Sequence, residues 1–306
     1  MTAEIKARRG IFMDRRFHVS PHNTFMGSFA SFDAARYVVI GVPFDGTSSY
    51  RPGSRFGPRA VREASNNIEA YSLKAKKGLA SGGICDMGDI DVVHGNTKET
   101  LKRVELVVKE VLEAKKIPVL IGGEHTLTYG SVKALKDGIL VIHFDAHMDL
   151  RDSYMGERFS HSTVMRRISE IVGVEAIIQL GIRSCSKEEY EFAEGKVIQF
   201  SSYDIQEKGV QSIMNSAKNL LAKFDGVYLT IDMDVLDPAY APGVGNPEPG
   251  GLSFSTLLKL VLGISEASKK VVGLDVVEVV PEYDNGSTAV SAAKMIFELL
   301  CASCLG

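Results

Sequence analysis

Short apolar runs rich in β-branched residues recur along the chain, and between them lie stretches in which apolar residues return at helical spacing. The runs are Tyr37 to Val42, Ile117 to Ile121, Ile139 to Phe144, Ala176 to Leu180, Val197 to Phe200, Val227 to Ile231 and Val271 to Val277. Their brevity and lack of polar alternation predict strands buried on both faces, as in a parallel sheet. The intervening segments Pro58 to Tyr71, Thr97 to Lys115, His161 to Val172, Val210 to Phe224, Ser255 to Ala267 and Ala292 to Cys304 predict helices. Ser186-Lys187-Glu188-Glu189 is a capping box that opens a further short helix, because Ser186 and Glu189 can each accept the other's backbone N–H. Strand alternating with helix predicts an α/β fold, a central parallel sheet between two helical layers.

No seam, repeat or low-complexity segment divides the chain, so a single domain over residues 1–306 is expected. The Pro/Gly-rich stretch from Asp237 to Gly251 is too long for a turn and reads as a functional loop. The net charge of −3 at pH 7 is spread along the sequence and offers no basic surface for a phosphate backbone, which argues against nucleic acid as a partner. Four cysteines, Cys85, Cys185, Cys301 and Cys304, are too scattered for a disulfide scaffold and fit a reducing compartment. Cys301-Ala-Ser-Cys304 ends an apolar stretch and reads as core packing rather than a redox pair. Met1 to Arg16 is mixed and basic, without a secretory signal, and no apolar run is long enough for a bilayer. A cytoplasmic protein with no membrane partner is expected.

Three polar motifs end or follow apolar runs. They are Gly122-Gly123-Glu124-His125-Thr126, Asp145-Ala146-His147-Met148-Asp149, and Thr230 to Pro238, which carries Asp232 and Asp234. A parallel sheet gathers the carboxyl ends of its strands at one edge, so these distant residues can converge. Extended backbone would give Asp145, His147 and Asp149 a common direction, and Asp232 and Asp234 repeat the spacing. Taken alone, the first cluster reads equally as an acidic turn with His147 merely hydrogen-bonded. Two such clusters in one sheet favour a metal site, because carboxylates buried together repel unless cations compensate them. Two divalent ions would balance Asp145, Asp149, Asp232 and Asp234. Imidazole with carboxylate suits Mn²⁺, Zn²⁺, Fe²⁺ or Co²⁺, and paired ions generate a nucleophilic hydroxide at neutral pH, so the expected chemistry is hydrolysis.

These residues resemble the ureohydrolase family of arginases and agmatinases, most closely the agmatinases. Gly41-Val42-Pro43-Phe44-Asp45, Arg51-Pro52-Gly53, Phe56-Gly57-Pro58, Pro247-Glu248-Pro249-Gly250-Gly251 and Asp275-Val276-Val277-Glu278 match the family in order, so the resemblance covers nearly the whole chain. It implies an arginase-like three-layer α/β/α fold, two Mn²⁺ per chain, hydrolysis of a guanidinium group to urea and an amine, and a homo-oligomer, trimer or hexamer. By motif, His125, Asp145, Asp149 and Asp232 would ligate one Mn²⁺ and Asp145, His147, Asp232 and Asp234 the other, with a metal-bound hydroxide attacking the guanidinium carbon. Asp149 would pass a proton to the departing amine, Glu278 would pair with the guanidinium, and His161 on the rim would shuttle protons. Without the resemblance, Glu278 reads also as a solvated strand end and His161 as a structural helix-start histidine. His143 reads as a buried supporting residue, and His18, His22 and His94 have no motif around them.

The resemblance implies a small cationic guanidino substrate, with agmatine hydrolysed to putrescine and urea in polyamine (putrescine and spermidine) biosynthesis. Arginase or a ureohydrolase for aminopropyl-agmatine or guanidinobutyrate is the near alternative, and a metal-dependent deacetylase the distant one. Asp152 and Glu157 are expected to attract a distal ammonium, whereas Arg151 or Arg158 would pair with a carboxylate if turned inward. Ser162-Thr163-Val164, Thr230 and Asn246 depart from the residues common in the family, the first and last at loops near the expected substrate.

Overall fold

The computed structural model describes residues 19–302 except 21–22, 29 and 80–82. In chain order its strands are β1 (Val19–Ser20), β2 (Tyr37–Val42), β3 (Tyr71–Ser72), β4 (Lys77–Gly78), β5 (Ile84–Ile90) and β6 (Ile117–Gly122). They continue as β7 (Ile139–Phe144), β8 (Ile177–Ile182), β9 (Ile198–Ser201), β10 (Gly226–Asp232) and β11 (Val271–Val277). β3 and β4 form a separate hairpin, and the other strands build one sheet in the order β1-β5-β2-β6-β11-β10-β7-β8-β9. Only the short edge strand β1 runs antiparallel to its neighbour. The α-helices are α1 (Gly57–Ser65), α2 (Thr97–Glu113), α3 (Thr128–Lys133), α4 (Val164–Val172), α5 (Lys187–Ala193), α6 (Ser202–Leu221), α7 (Phe254–Ala267) and α8 (Ser287–Cys301).

Side-chain alternation along the strands sorts the helices into two layers. Val38, Ile40 and Val42 of β2 pack with Val104, Val107, Val108 and Val111 of α2, and Val141 of β7 packs with Val164, Met165 and Ile168 of α4. The opposite pleats, including Val39, Ile142 and Leu229, meet α1, α6, α7 and α8 through Val61, Ile213, Leu257 and Ile296. This is the expected α/β/α sandwich. The chain walks outward from β7 to β9 and then returns to insert β10 and β11 beside β6, so the carboxyl ends of β6, β11, β10 and β7 lie side by side at the centre. Open α/β sheets bind ligands at such reversals.

Several elements differ from expectation for local reasons. β5 was not foreseen because its sequence, Ile-Cys-Asp-Met-Gly-Asp-Ile, hides two carboxylates by pairing them. The fully buried Arg62 donates Nε to Asp86 Oδ2 at 2.7 Å and Nη2 to Asp86 Oδ1 at 2.9 Å, and also pairs with Asp89. Helix α1 stops at Ser65 instead of Tyr71, where the Asn67 amide donates to Glu63 O at 2.9 Å and competes with the helical ladder. Helix α6 starts at Ser202 and is broken at Gly209 (φ 74°), so apolar periodicity reveals only its second part. The capping box forms, Ser186 N–H donating to Glu189 Oε2 at 2.8 Å. Cys301 is buried in α8, while Cys304, His18, His22 and Met1 to Arg16 lie outside the described residues. Among the described residues no helix is long and apolar enough to cross a membrane.

Candidate active site

Pairing across the sheet aligns the polar motifs. Ile231 of β10 pairs with Phe144 of β7, Asp232 with Val277 of β11, and Val276 with Ile121 of β6. The residues that follow, Asp145, Glu278 and the Gly122-Gly123 turn, therefore leave the sheet beside Asp232. Gly123 is required by close approach, since a Cβ there would lie 1.9 Å from Phe44 O. That contact lets Gly123 N–H donate to Val42 O at 2.8 Å and Glu124 N–H to Phe44 O at 2.7 Å, tying the β6 turn to the chain leaving β2.

His125, Asp145, His147, Asp149, Asp232 and Asp234 gather around one end of a cavity of about 200 Å³. The Nδ1 atom of His125 lies 3.0 Å from Asp145 Oδ2 and 3.3 Å from both Asp149 Oδ2 and Asp232 Oδ2, yet makes no hydrogen bond of acceptable geometry. His147 Nδ1 lies 3.0 Å from Asp234 Oδ2 and 3.4 Å from Asp145 Oδ1. The means of convergence differs from simple strand alternation. β7 ends at Phe144, and Asp149 returns to the cluster through a left-handed residue (φ 54°), while Asp234 sits in a 3₁₀ turn (Met233–Val235) whose N–H donates to Asp232 Oδ1 at 2.9 Å. Glu278 is also left-handed (φ 63°), and such strained backbone gathers at functional sites.

The tautomer of His125 follows from its neighbours. Asp275 accepts hydroxyl hydrogens from Tyr228 at 2.7 Å, Thr128 at 2.9 Å and Thr230 at 2.6 Å. Thr230, having given its proton to Asp275, accepts from His125 Nε2, 2.8 Å away. Nδ1 is then the lone-pair nitrogen, and it faces the carboxylates. A cation fits that arrangement, and second-position hydrogen bonding of a ligating histidine is the usual companion of a metal site. Charge supports the same fit. With protein groups alone around them, burial and the charge on Asp145 push Asp149 up to about 7, and burial with Asp234 and Asp145 holds Asp232 well above the ordinary carboxylate range. Four acidic side chains in this space call for positive charge that the two histidines supply only by protonating.

Glu278 hangs over the same end, fixed through Oε1, which accepts the His125 N–H at 2.8 Å. Burial and Glu124 lift its carboxyl well above the usual range, the condition of an acid awaiting a cationic partner. His161, itself buried, also lines the cavity, its Nε2 3.2 Å from Ser49 Oγ and its Nδ1 3.4 Å from Thr47 Oγ1. Burial, with the charge on His147 and His125, pushes His161 down to about 4, so it is neutral at pH 7. The unusual Ser162-Thr163-Val164 keeps a tight path: Thr163 Oγ1 accepts the Ser160 N–H at 2.9 Å and donates to Arg158 O at 2.8 Å.

The far end of the cavity is lined by Arg151, Tyr154, Ser184, Cys185, Glu189 and Asn246. Neither Asp152 nor Glu157 lines it, against expectation. Asp152 turns away to receive Arg167 Nη2 at 2.6 Å, and Glu157 is exposed. Arg151 faces inward, stacked at 5.2 Å over Tyr154, while Arg158 points out to Glu170 at 3.2 Å. Glu189 is occupied by the N–H groups of Leu150 at 3.0 Å and Ser186 at 2.8 Å. Sequence reasoning missed Glu124, whose buried carboxylate accepts Thr47 N–H at 2.7 Å and Thr47 Oγ1 at 2.6 Å and so seats the residue that touches His161. It also missed Arg183, whose guanidinium donates to the carbonyls of Asp234 and Glu248, each at 2.7 Å, and pins the Pro/Gly-rich loop. Glu124 was visible in the Gly-Gly-Glu-His motif, whereas nothing around Arg183 marks it.

Comparison with known proteins agrees with this geometry. The sequence pattern of the arginase family matches residues 35–302. The chain is 41% identical over 282 residues to an agmatinase of Bacillus subtilis, covering 90% of this chain and 94% of that protein. It is equally 41% identical over 267 residues to an N(1)-aminopropylagmatine ureohydrolase of Thermococcus kodakarensis, covering 87% and 90%. The crystal structure of an agmatine ureohydrolase of Thermoplasma volcanium superimposes with a TM-score of 0.85 at 37% identity, covering 95% of this chain and 97% of the other. With the family pattern running through every strand from β2 to β11 and its carboxylate motifs at the central strand ends, the chain belongs to the arginase family.

Proposed function

We propose that this hydrolase is an agmatinase, which converts agmatine and water to putrescine and urea in polyamine biosynthesis. The observation that carries the reading is Glu278, a carboxylate anchored by the His125 N–H within the same cavity as His125, His147, Asp149, Asp232 and Asp234. A guanidinium paired with Glu278 would present its carbon to that cluster. His125, Asp145, Asp149 and Asp232 would hold one Mn²⁺, and Asp145, His147, Asp232 and Asp234 the other. When bound, such a pair supplies Lewis-acid charge compensation and acidifies water at neutral pH.

The chain's own residues then divide the remaining work. Glu278 orients the guanidinium through charge-assisted hydrogen bonds, which a neutral amide would not match in strength. Asp149, on its left-handed turn beside His125, carries a proton to the amine that departs when the carbon–nitrogen bond breaks. His161, neutral and held between Thr47 and Ser49, exchanges protons between the cavity and the solvent. The cavity of about 200 Å³ has room for a short alkyl chain, with Tyr154 and Asn246 among its lining.

One observation favours a second reading. Arg151 lines the loop wall of the cavity, 3.6 Å from Glu189, and a guanidinium there suits a substrate ending in carboxylate, such as guanidinobutyrate. Metal analysis of the purified protein together with urea release from agmatine, aminopropyl-agmatine, guanidinobutyrate and arginine tests both. The agmatinase reading expects two Mn²⁺ per chain and the highest kcat/KM with agmatine. A larger kcat/KM with guanidinobutyrate or arginine would overturn the substrate, and urea release from metal-stripped protein would overturn the mechanism.

A further inference from the structure

A row of polar side chains crosses the interior of the sheet directly beneath the carboxylate cluster. Asp275 of β11 pairs in register with Thr230 of β10, Thr230 with His143 of β7, His143 with Gln179 of β8, and Gln179 with Gln199 of β9. All but Gln199 are fully buried, on the face covered by α2 to α4. Polar groups in such a place destabilise a fold unless fully bonded, so the row invites a reason for its presence. The Asp275 and Thr230 half fixes His125, as described above.

The other half can be read atom by atom. Met148 O only accepts, so the Gln179 amide atom 2.7 Å from it is the nitrogen. The same nitrogen lies 2.9 Å from His143 Nδ1, and the Gln179 carbonyl oxygen accepts from Gln199 Nε2 at 2.7 Å, which agrees with that orientation. His143 Nδ1 must then accept, and the imidazole proton resides on Nε2, 2.8 Å from Asp145 Oδ2. With Nδ1 used by an amide and Nε2 used as a donor, His143 has no lone pair left for a metal, although it lies among the other ligand atoms.

We infer that His143 is a positioning residue whose Gln179-locked Nε2–H holds Asp145 Oδ2, orienting that carboxylate so that both of its oxygens are turned to the cations. The other oxygen, Oδ1, accepts the His147 N–H at 2.6 Å, so the group is held from both sides. This rests on the metal-binding reading of the site. The consequence is a division of labour: His143 governs metal affinity and leaves the substrate seat at Glu278 untouched.

The test measures Mn²⁺ binding by calorimetry and electron paramagnetic resonance in His143→Leu, His143→Gln, Gln179→Leu and the parent, alongside thermal unfolding. His143→Leu is expected to raise the Mn²⁺ dissociation constant about 10- to 100-fold, as loss of an outer hydrogen bond commonly does. His143→Gln, whose amide nitrogen can reach Asp145 Oδ2, should recover most of that loss, and Gln179→Leu should fall between. Agmatine KM at saturating Mn²⁺ should stay at the parent value. Nitrogen NMR of the parent without metal should find the His143 proton on Nε2. Unchanged affinity in folded His143→Leu, a glutamine variant as weak as the leucine one, or a proton on Nδ1 would each overturn the inference. Should His143→Leu fail to fold, Gln179→Leu and the NMR measurement decide. A parent that binds no Mn²⁺ would instead refute the metal-binding reading itself.

Discussion

The two ends of the cavity are built differently. At the strand-end wall four carboxylates are each held by a backbone N–H: Asp145 by the His147 N–H, with His143 on its other oxygen, Asp232 by the Asp234 N–H, Asp234 by the Ala146 N–H at 3.0 Å, and Glu278 by the His125 N–H. In the loop wall Glu189 is held in the same way by two backbone N–H groups, whereas Arg151 and Tyr154 are held mainly by stacking on each other, and the two acids expected there do not line the cavity. Chemistry that must hold charge in a fixed geometry resides where the backbone sets it, and discrimination between substrates resides where side chains can be exchanged. The contrast yields expectations of graded size.

The largest effects should come from dismantling the strand-end wall. Chelation should abolish urea release and lower the melting temperature, because four buried carboxylates lose their counterions. A cation present at 100 times its dissociation constant stabilises the fold by about 2.7 kcal/mol per site. Asp232→Ala should reduce urea release to background and prevent two-metal occupancy, and a variant that still binds two ions would remove Asp232 from the ligand set. Glu278→Gln tests the same wall from the substrate side. Loss of a buried charge partner costs about 2–5 kcal/mol, or roughly 30- to 5,000-fold in kcat/KM, with metal content unchanged. Reduced metal content would make Glu278 part of the metal support instead.

The same contrast explains what could be read from the chain alone. The strand-end carboxylates were legible as a cluster because period and position coincide: an apolar run announces the strand, a carboxylate such as Asp145 or Glu278 stands one residue beyond it, and two such acidic groups in one sheet weigh against a plain acidic turn. Strands β2, β7 and β11 were bounded correctly by apolar content. β5 was not, since Asp86 and Asp89 look exposed until the distant Arg62 reaches them. The turn at Asp149 also escaped, because i, i+2 spacing assumes an extended chain and the φ of 54° lies outside that regime. In the loop wall the sequence supplies charges without directions. Asp152 and Arg151 are adjacent, yet one faces Arg167 and the other the cavity. Only the fold of α4, which carries Arg167, decides between them.

An intermediate effect is expected at His161. His161→Asn should lower kcat about 10²-fold if proton transfer is its task, with metal content at the parent level. The asparagine keeps polar contact with Thr47 and Ser49 but cannot gain and lose a proton. Lost metal would make His161 a ligand, and an unchanged kcat would reduce it to a contact that shapes the loop.

The smallest catalytic effect belongs to Asp152, and it separates the loop wall as built from the one that charge alone suggests. If Asp152 attracted the ammonium of agmatine, Asp152→Asn would raise KM for agmatine by an order of magnitude or more. Its carboxylate instead receives Arg167 Nη2 at 2.6 Å, and Arg167 is buried with its side chain 1% exposed, while that of Asp152 is 50% exposed. Arg167 retains Glu170 at 3.2 Å, so the charge keeps one partner after the substitution. The asparagine oxygen can still accept the hydrogen bond, which leaves the loss of charge as the main cost, about 1 kcal/mol for a pair half open to solvent. Asp152→Asn should therefore lower the melting temperature slightly and leave kcat/KM for agmatine within about threefold of the parent, a change smaller than 1 kcal/mol. A tenfold rise in KM without loss of stability would turn Asp152 back toward the substrate, and the loop wall would then hold the ammonium by charge just as Glu278 is proposed to hold the guanidinium.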